Sequence, residues 1–108
     1  MPIEKPDHRA RAARLERRAF EEPADTAPAL RRDMGQRAAG GAPIASPYDE
    51  LARDVGEASY RVTDAEVAAV RAAVGSDRAA FELVAAAAVG AALKRWKAGI
   101  AAIDEASK

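Results

Sequence analysis

The sequence predicts an all-α protein, and three observations support this prediction. Alanine, the strongest helix former, supplies more than a quarter of the 108 residues. Phe, Tyr and Trp together make up 5% of the chain, and β-branched residues are few outside scattered Val and Ile, so strands have little to favour them. The most apolar run, residues 81–96, repeats its larger side chains with helical spacing.

Residues 81–96 are predicted to form the helix at the centre of the core. No charge occurs in residues 83–93, but this stretch is only about half of the ~20 residues that a membrane-spanning helix needs, so no membrane span is expected. One stripe at helical spacing is expected to face the core. It consists of Phe81, Val84, Ala88, Ala92 and Trp96, and it continues through Ile100 and Ile103.

The opposite face of the same helix is apolar as well. A helix that is apolar all round is normally buried all round, and so short a chain has little left to cover a second face. We therefore expect a homo-oligomer. Ala86 and Gly90, four residues apart, would let a second backbone approach closely. The predicted interface residues are Leu83, Ala86, Ala87, Gly90, Ala91 and Trp96.

Composition excludes several chemistries. The chain has 17 basic and 17 acidic residues, so no overall field attracts nucleic acid or an anionic membrane, and neither is an expected partner. It has no cysteine, which removes disulfides, thiolate metal sites and thiol catalysis. Its single histidine, His8, argues against a structural zinc or His-rich metal site, and no cofactor is expected.

The N-terminal residues lack the apolar segment of a secretory signal, so a cytoplasmic location is expected.

The N-terminal third contains a basic helix. Asp7 is a candidate N-cap for a helix from His8 to about Glu22. Two interpretations of its arginines stay open. They form either a solvated face supported by pairs such as Arg14 with Glu16 and Arg18 with Glu22, or an arm that follows nucleic-acid phosphates. The second interpretation lacks the interleaved aromatic residues of a base-stacking surface. The arginines concerned are Arg9, Arg11, Arg14, Arg17 and Arg18.

Glycine and proline suggest a boundary near residue 45. Residues 29–39 are a weaker helix candidate, interrupted by Gly35, and residues 40–47 are rich in Gly and Pro. The Gly40-Gly41 pair is not a phosphate loop, because no strand precedes it and no Walker lysine follows. We expect residues 1–45 to form an arm and linker, which is a candidate site for a protein partner, and residues 46–108 to form a compact three-helix core.

Helix starts and stops are well marked in the C-terminal part. Ser46 and Pro47 predict a helix that begins with proline at its first position and ends near residue 60. Thr63 and Glu66 have the spacing of a capping box. A glycine stop and a serine cap at residues 75 and 76 then separate that helix from the central one, in which Gly99 is a candidate weak point.

Few side chains are candidates for chemistry. Glu82 is the one charge in an apolar stretch, and if buried it would be a plausible general acid or base, although a structural ion pair or helix-start role also explains it. Arg95 could bind a carboxylate substrate. Trp96 and Tyr60 could line a pocket or anchor a core, and His8 is expected on the solvated basic segment.

The segments YRVTDAEVAAVRAAVG and SDRAAFELVAAAAVGAALKRWKAGIAAI, within residues 48–103, resemble the carboxymuconolactone decarboxylase and AhpD-like superfamily. The resemblance implies an all-helical fold and homo-oligomeric assembly. The peroxidase members carry a Cys-x-x-Cys and a His, and these positions would fall near Tyr60, Thr63 and Val67, none of which can perform thiol chemistry. Resemblance to the decarboxylase branch implies an acid/base site that uses a histidine and charged residues. The single histidine, His8, lies outside the matched region. No catalytic residue of the family can be transferred.

These observations lead to one main expectation and two alternatives. The main expectation is a non-redox, non-catalytic, homo-oligomeric helical protein that acts as a binding or structural module. The first alternative is a cofactor-free acid/base enzyme that uses Glu82 and Arg95. The second is a nucleic-acid-binding protein that uses the basic N-terminal helix.

Overall fold

The computed structural model describes residues 7–107, and these residues contain helices but no strand. The predicted all-α fold is confirmed. In chain order the elements are α1 (His8–Phe20), α2 (Pro28–Ala38), α3 (Tyr48–Glu57), a single 3₁₀ turn (Ser59–Arg61), α4 (Asp64–Val74) and α5 (Asp77–Ala106). No helix within the described range is both long and apolar enough to cross a membrane.

The helix ends follow the local signals of the sequence. The side chains of Asp7, Thr63 and Ser76 each accept a hydrogen bond from the backbone N–H three residues later, at 3.0, 3.1 and 3.1 Å. Each bond satisfies one of the unpaired donors at a helix start. Gly75 ends α4 with φ of +90°, the left-handed conformation that favours glycine. The predicted caps at Asp7, Thr63 and Ser76 and the predicted stop at Gly75 are confirmed.

Three helix ends and two interior glycines differ from the predictions, and one of these ends is that of α3, at Glu57, about three residues early. α1 ends at Phe20, two residues early, and α3 begins at Tyr48, so Pro47 lies at the N-cap and not inside the first turn. α2 passes through Gly35 without a break, and α5 passes through Gly99. Tertiary packing explains the continuity of α2, because Gly35 is buried where that helix crosses its neighbours.

α5 is the central element, and α2, α3 and α4 pack on it. The largest side chains with no exposed surface are Met34 from α2, Leu51 from α3, Val70 from α4 and Leu83 from α5. All four belong to one apolar cluster. Because α2 supplies part of this cluster, the Gly- and Pro-rich segment after it joins two helices of one core. The predicted division into an arm and a separate core unit after residue 45 is corrected accordingly.

Glycines bring the backbones of α2 and α5 together. A Cβ placed on Gly90 would overlap the carbonyl oxygen and Cα of Gly35, and a Cβ on Gly35 would lie 2.5 Å from the Phe20 ring. The predicted close approach at Ala86 and Gly90 is therefore present, but the approaching backbone is α2 of the same chain. Small residues at a helix crossing allow this separation because no side chain stands between the two backbones.

The two apolar faces of α5 are the reverse of those predicted. Leu83, Ala87 and Ala91, expected at a subunit interface, are at most 3% exposed and lie in the core of the chain itself. Phe81, expected in the core, is 71% exposed. Since both faces are apolar, helical spacing alone could not distinguish them. The face that contains Gly90 is the buried one, and there the backbone of α2 approaches closely at Gly35.

Candidate functional site

Glu82 is held by the connector between α1 and α2. Its Oε1 accepts hydrogen bonds from the Thr26 N–H at 2.8 Å and from the Thr26 hydroxyl at 2.7 Å, and its Oε2 accepts one from the Asp25 N–H at 3.1 Å. The Glu82 side chain is 15% exposed, and Arg78 lies 4.0 Å from it. The carboxylate thus fixes the chain just before α2 begins.

The environment of Glu82 stabilises its charged form. Burial raises the pKa of this carboxyl group, but the hydrogen bonds from Thr26 and Asp25, together with the charge of Arg31, outweigh burial, so the net pKa is lowered. A general acid that works near neutrality needs a raised pKa, which is the opposite direction. Glu82 therefore serves the structure of the connector.

Arg95 is also used for structure. Its Nη2 donates a hydrogen bond to the Gly56 carbonyl oxygen in the last turn of α3, at 2.7 Å. A cation at a helix C-terminus stabilises the unpaired carbonyl groups there. Arg95 lies 13 residues after Glu82 on one helix, about 20 Å away at 1.5 Å per residue. The structure does not bring the two candidate catalytic residues together.

An open groove of about 380 Å³ lies between three helices of the described chain. We call it the α1/α2/α5 groove. Its apolar residues are Phe20, Gly35, Ala39, Gly90 and Leu93, and its polar residues are Glu16, Glu21, Arg32, Gln36, Lys94 and Lys97. Neither Glu82 nor Arg95 lines it. Sequence reasoning missed this groove, because its walls come from three segments far apart in the chain.

The polar residues of the α1/α2/α5 groove have an excess of positive charge, with three cations against two carboxylates. Lys94 donates to the Ala39 carbonyl oxygen at 2.6 Å, and Lys97 lies 3.7 Å from Glu16 in an exposed ion pair. Among residues 7–107, Arg32 makes a single long contact, of 3.5 Å, to the Phe20 carbonyl oxygen. Most of the five guanidinium donors of Arg32 are therefore available to another acceptor.

A second groove, of about 270 Å³, lies between α1 and α5 alone. We call it the α1/α5 groove. Its residues are His8, Arg11, Ala12, Leu15, Ala92, Leu93 and Trp96. Trp96 therefore lines a groove, as one of the two sequence interpretations expected. Tyr60 does not, since it is 84% exposed, and it carries the Arg61 guanidinium 5.8 Å from its ring centre.

Two carboxyl groups meet where α4 packs on α3, a site that sequence reasoning missed. Asp54 is 6% exposed, and Oε2 of Glu66 is a buried atom without a hydrogen-bond partner among the described residues. Burial and the neighbouring Asp54 raise the pKa of Glu66. Glu66 was expected to complete a capping box. Its backbone N–H does bond the Thr63 hydroxyl, but its side chain interacts with Asp54.

The basic face of α1 is solvated, and α1 itself lies along α5. Arg11, Arg14, Arg17 and Arg18 are exposed. The ion pairs of α1 go to α5, from Arg9 to Asp104 at 3.4 Å and from Glu16 to Lys97 at 3.7 Å. Glu16 thus pairs across the helices and not with Arg14 as expected. The N-terminal helix docks on its own chain.

Comparison of this chain with models of known protein families, with curated proteins and with solved structures gives no match in any of the three. The resemblance to the carboxymuconolactone decarboxylase and AhpD-like superfamily stays a prediction.

Proposed function

We propose that this chain is a non-catalytic, homo-oligomeric binding module whose ligand is an anion with an apolar body. The observation that carries the proposal is the α1/α2/α5 groove, which combines an apolar floor with an excess of cationic side chains. Its volume of about 380 Å³ lies within the range typical of small-molecule sites, about 300–1,000 Å³.

The groove offers each part of such a ligand a matching surface. Phe20 and Leu93 would cover the apolar body, which is favourable by about 25 cal/mol for each Å² removed from water. Arg32 would hold the anionic group, because a guanidinium can donate two parallel hydrogen bonds to one carboxylate. The ammonium groups of Lys94 and Lys97 add charge on the α5 side.

The positions of the candidate catalytic residues favour binding over catalysis. Glu82 and Arg95 each hold a backbone segment in place, and they lie outside both grooves. An acid/base mechanism would need them near one substrate. The basic face of α1 leaves nucleic-acid binding as an alternative that a salt titration tests directly, since binding through phosphates weakens steeply as salt rises. Membership of the AhpD-like superfamily, a protein partner for the N-terminal helix and a cytoplasmic location stay predictions.

The ligand proposal is tested with two amphipathic anions. We expect 8-anilinonaphthalene-1-sulfonate to bind with saturable fluorescence, and decanoate to displace it. Arg32→Ala removes the least engaged cation and should weaken decanoate binding about tenfold, which corresponds to about 1.4 kcal/mol. Arg14→Ala is the matched control, because Arg14 is exposed on α1 and does not line the groove. Absence of saturable binding, or equal affinity in the two variants, would overturn the proposal.

A further inference from the structure

The outer face of α5 presents a large apolar side chain to solvent. Phe81 is 71% exposed near the start of the helix. Ala88 and Ala92, two and three turns later, are exposed as well, and Ala85 is half-buried. This part of the face contains no charged residue. It therefore consists of one projecting phenyl ring followed by a smooth strip of methyl groups.

A groove lies beside this face, farther along α5. Ala92 belongs to the α1/α5 groove, whose other apolar walls are Ala12, Leu15, Leu93 and Trp96. From Phe81 to Ala92 is eleven residues, or about 17 Å along the axis, and the two positions point in directions within about 20° of each other at 3.6 residues per turn. Phe81 and Ala92 thus face the same way and are separated by small residues, and the groove opens to one side of Ala92, towards Trp96, which points about 60° away from Phe81.

We propose that two copies of the chain pair in antiparallel orientation through this face, and that Phe81 of each copy enters the α1/α5 groove of the other. The proposal names the surface for the homo-oligomer and rests on that part of the proposed function. A two-fold axis between Ala88 and Val89 places Phe81 opposite Trp96 and Ala85 opposite Ala92. The Phe81 ring of each copy then lies in the α1/α5 groove of the other copy. This is the self-complementary contact of a closed dimer.

A second copy is the proposed occupant because it supplies both the ring and the groove from the same surface, and its size and charge fit. A groove of about 270 Å³ has room for a phenyl ring, and alanines at the centre allow helix axes to approach to about 8 Å. Arg11, which also lines the groove, can place its guanidinium against the face of an incoming ring. The chain has equal numbers of acidic and basic residues, so two copies carry no net repulsion.

Sedimentation equilibrium from about 5 to 200 µM tests the assignment. We expect a concentration-dependent dimer for the unaltered chain. Phe81→Ser and Leu15→Glu should each weaken self-association at least tenfold, and both positions are exposed in the single chain, so the fold should survive. Tyr60→Ser is the control, because Tyr60 is an exposed aromatic residue outside both grooves and should leave the association unchanged.

A lone introduced cysteine tests the orientation, since the chain has none of its own. Ala88→Cys lies beside the two-fold axis, so copper–phenanthroline oxidation should link the two copies rapidly. Ala101→Cys, also exposed but on another face of α5, should link at least tenfold more slowly. A monomer at every concentration would overturn both the homo-oligomer and this surface. A dimer whose association is unchanged by Phe81→Ser, or equal linking rates for Ala88→Cys and Ala101→Cys, would overturn the surface alone. Neither result bears on the proposed ligand binding.

Discussion

Thr26 and Glu82 are joined by two hydrogen bonds to a single carboxylate oxygen, one from the Thr26 backbone N–H and one from its hydroxyl. These bonds connect α5 to a segment 56 residues earlier in the chain. The N-cap of α2, Ala27, has no side chain that could bond the helix start. Glu82 therefore orders the approach to α2 from outside the connector, in place of a local cap.

Replacement of Glu82 with Gln is expected to destabilise the fold. The amide can accept at one position only, and it loses the negative charge that strengthens three hydrogen bonds. Hydrogen bonds to charged groups contribute about 1.5–3 kcal/mol each, so we expect a loss of about 1–3 kcal/mol in the free energy of unfolding, measured with urea at pH 7. Glu22→Gln, at an exposed glutamate in the same connector, should be neutral. Equal stability of the two variants would refute the structural role of Glu82.

Glu66, at the α3–α4 contact, and Glu82 should each make the stability of the fold depend on pH, but in opposite directions. The pKa of Glu66 is raised, so its neutral form is favoured in the folded chain. Its contribution is full below the pKa of a free glutamate, about 4.3, and is lost as pH rises through the raised pKa. The lowered pKa of Glu82 gives a contribution that is present above the free value and is lost as the solution is acidified.

Glu66→Gln separates these two effects. The amide cannot ionise, so the variant should lack the part of the pH dependence that Glu66 contributes. Relative to the variant, the unaltered chain should lose stability as pH rises from 4 to 8, and it should be the less stable of the two at pH 8. Asp54 faces Glu66, while Arg53 and Thr63 are the neighbours that favour its charged form. Urea unfolding at both pH values provides the measurement. Glu57→Gln, on the exposed side of α3, serves as the control, and an unchanged pH profile in Glu66→Gln would contradict the prediction.

Local signals in the sequence were sufficient to predict four helix ends. Asp7, Thr63 and Ser76 cap helices through bonds to residues three positions away, and Gly75 stops one through its own backbone angle. Each of these contacts is complete within a few residues, so nearby sequence contains the information. The all-α class follows from composition, because helix propensity is also a local property of each residue.

Contacts between distant segments could not be predicted in this way. The helix around Leu83 is apolar on both sides, so the choice of the buried side depended on where α2 would cross. The meeting of Asp54 with Glu66, and that of Thr26 with Glu82, requires the packed arrangement of two or three helices. One clue was present in the sequence. Gly90 indicated that another backbone would approach closely, but it did not indicate that this backbone would be α2.

Two glycines on α5 provide a matched test of that close approach. Gly90→Ala would introduce a methyl group into the backbone of α2 at Gly35, and the helix axes would have to separate. Overpacking of this kind typically costs about 1–3 kcal/mol and sometimes more, while the helix propensity gained from Gly to Ala returns about 1 kcal/mol. We expect a net loss of about 2 kcal/mol in the free energy of unfolding, measured with urea, because the clash is with backbone atoms that have no rotamer to change.

Gly99→Ala is the companion change on the same helix. Apart from the chain neighbours and the backbone of α5 itself, no atom of the described residues lies within 4 Å of a Cβ at this position. The residue is exposed, so only the propensity effect should remain. We expect a gain of about 0.5–1 kcal/mol. Opposite signs at Gly90 and Gly99 would show that α2 and α5 touch through their backbones in solution. If Gly90→Ala stabilises the chain as much as Gly99→Ala, the crossing at Gly35 is wrong, and with it the assignment of the inner and outer faces of α5.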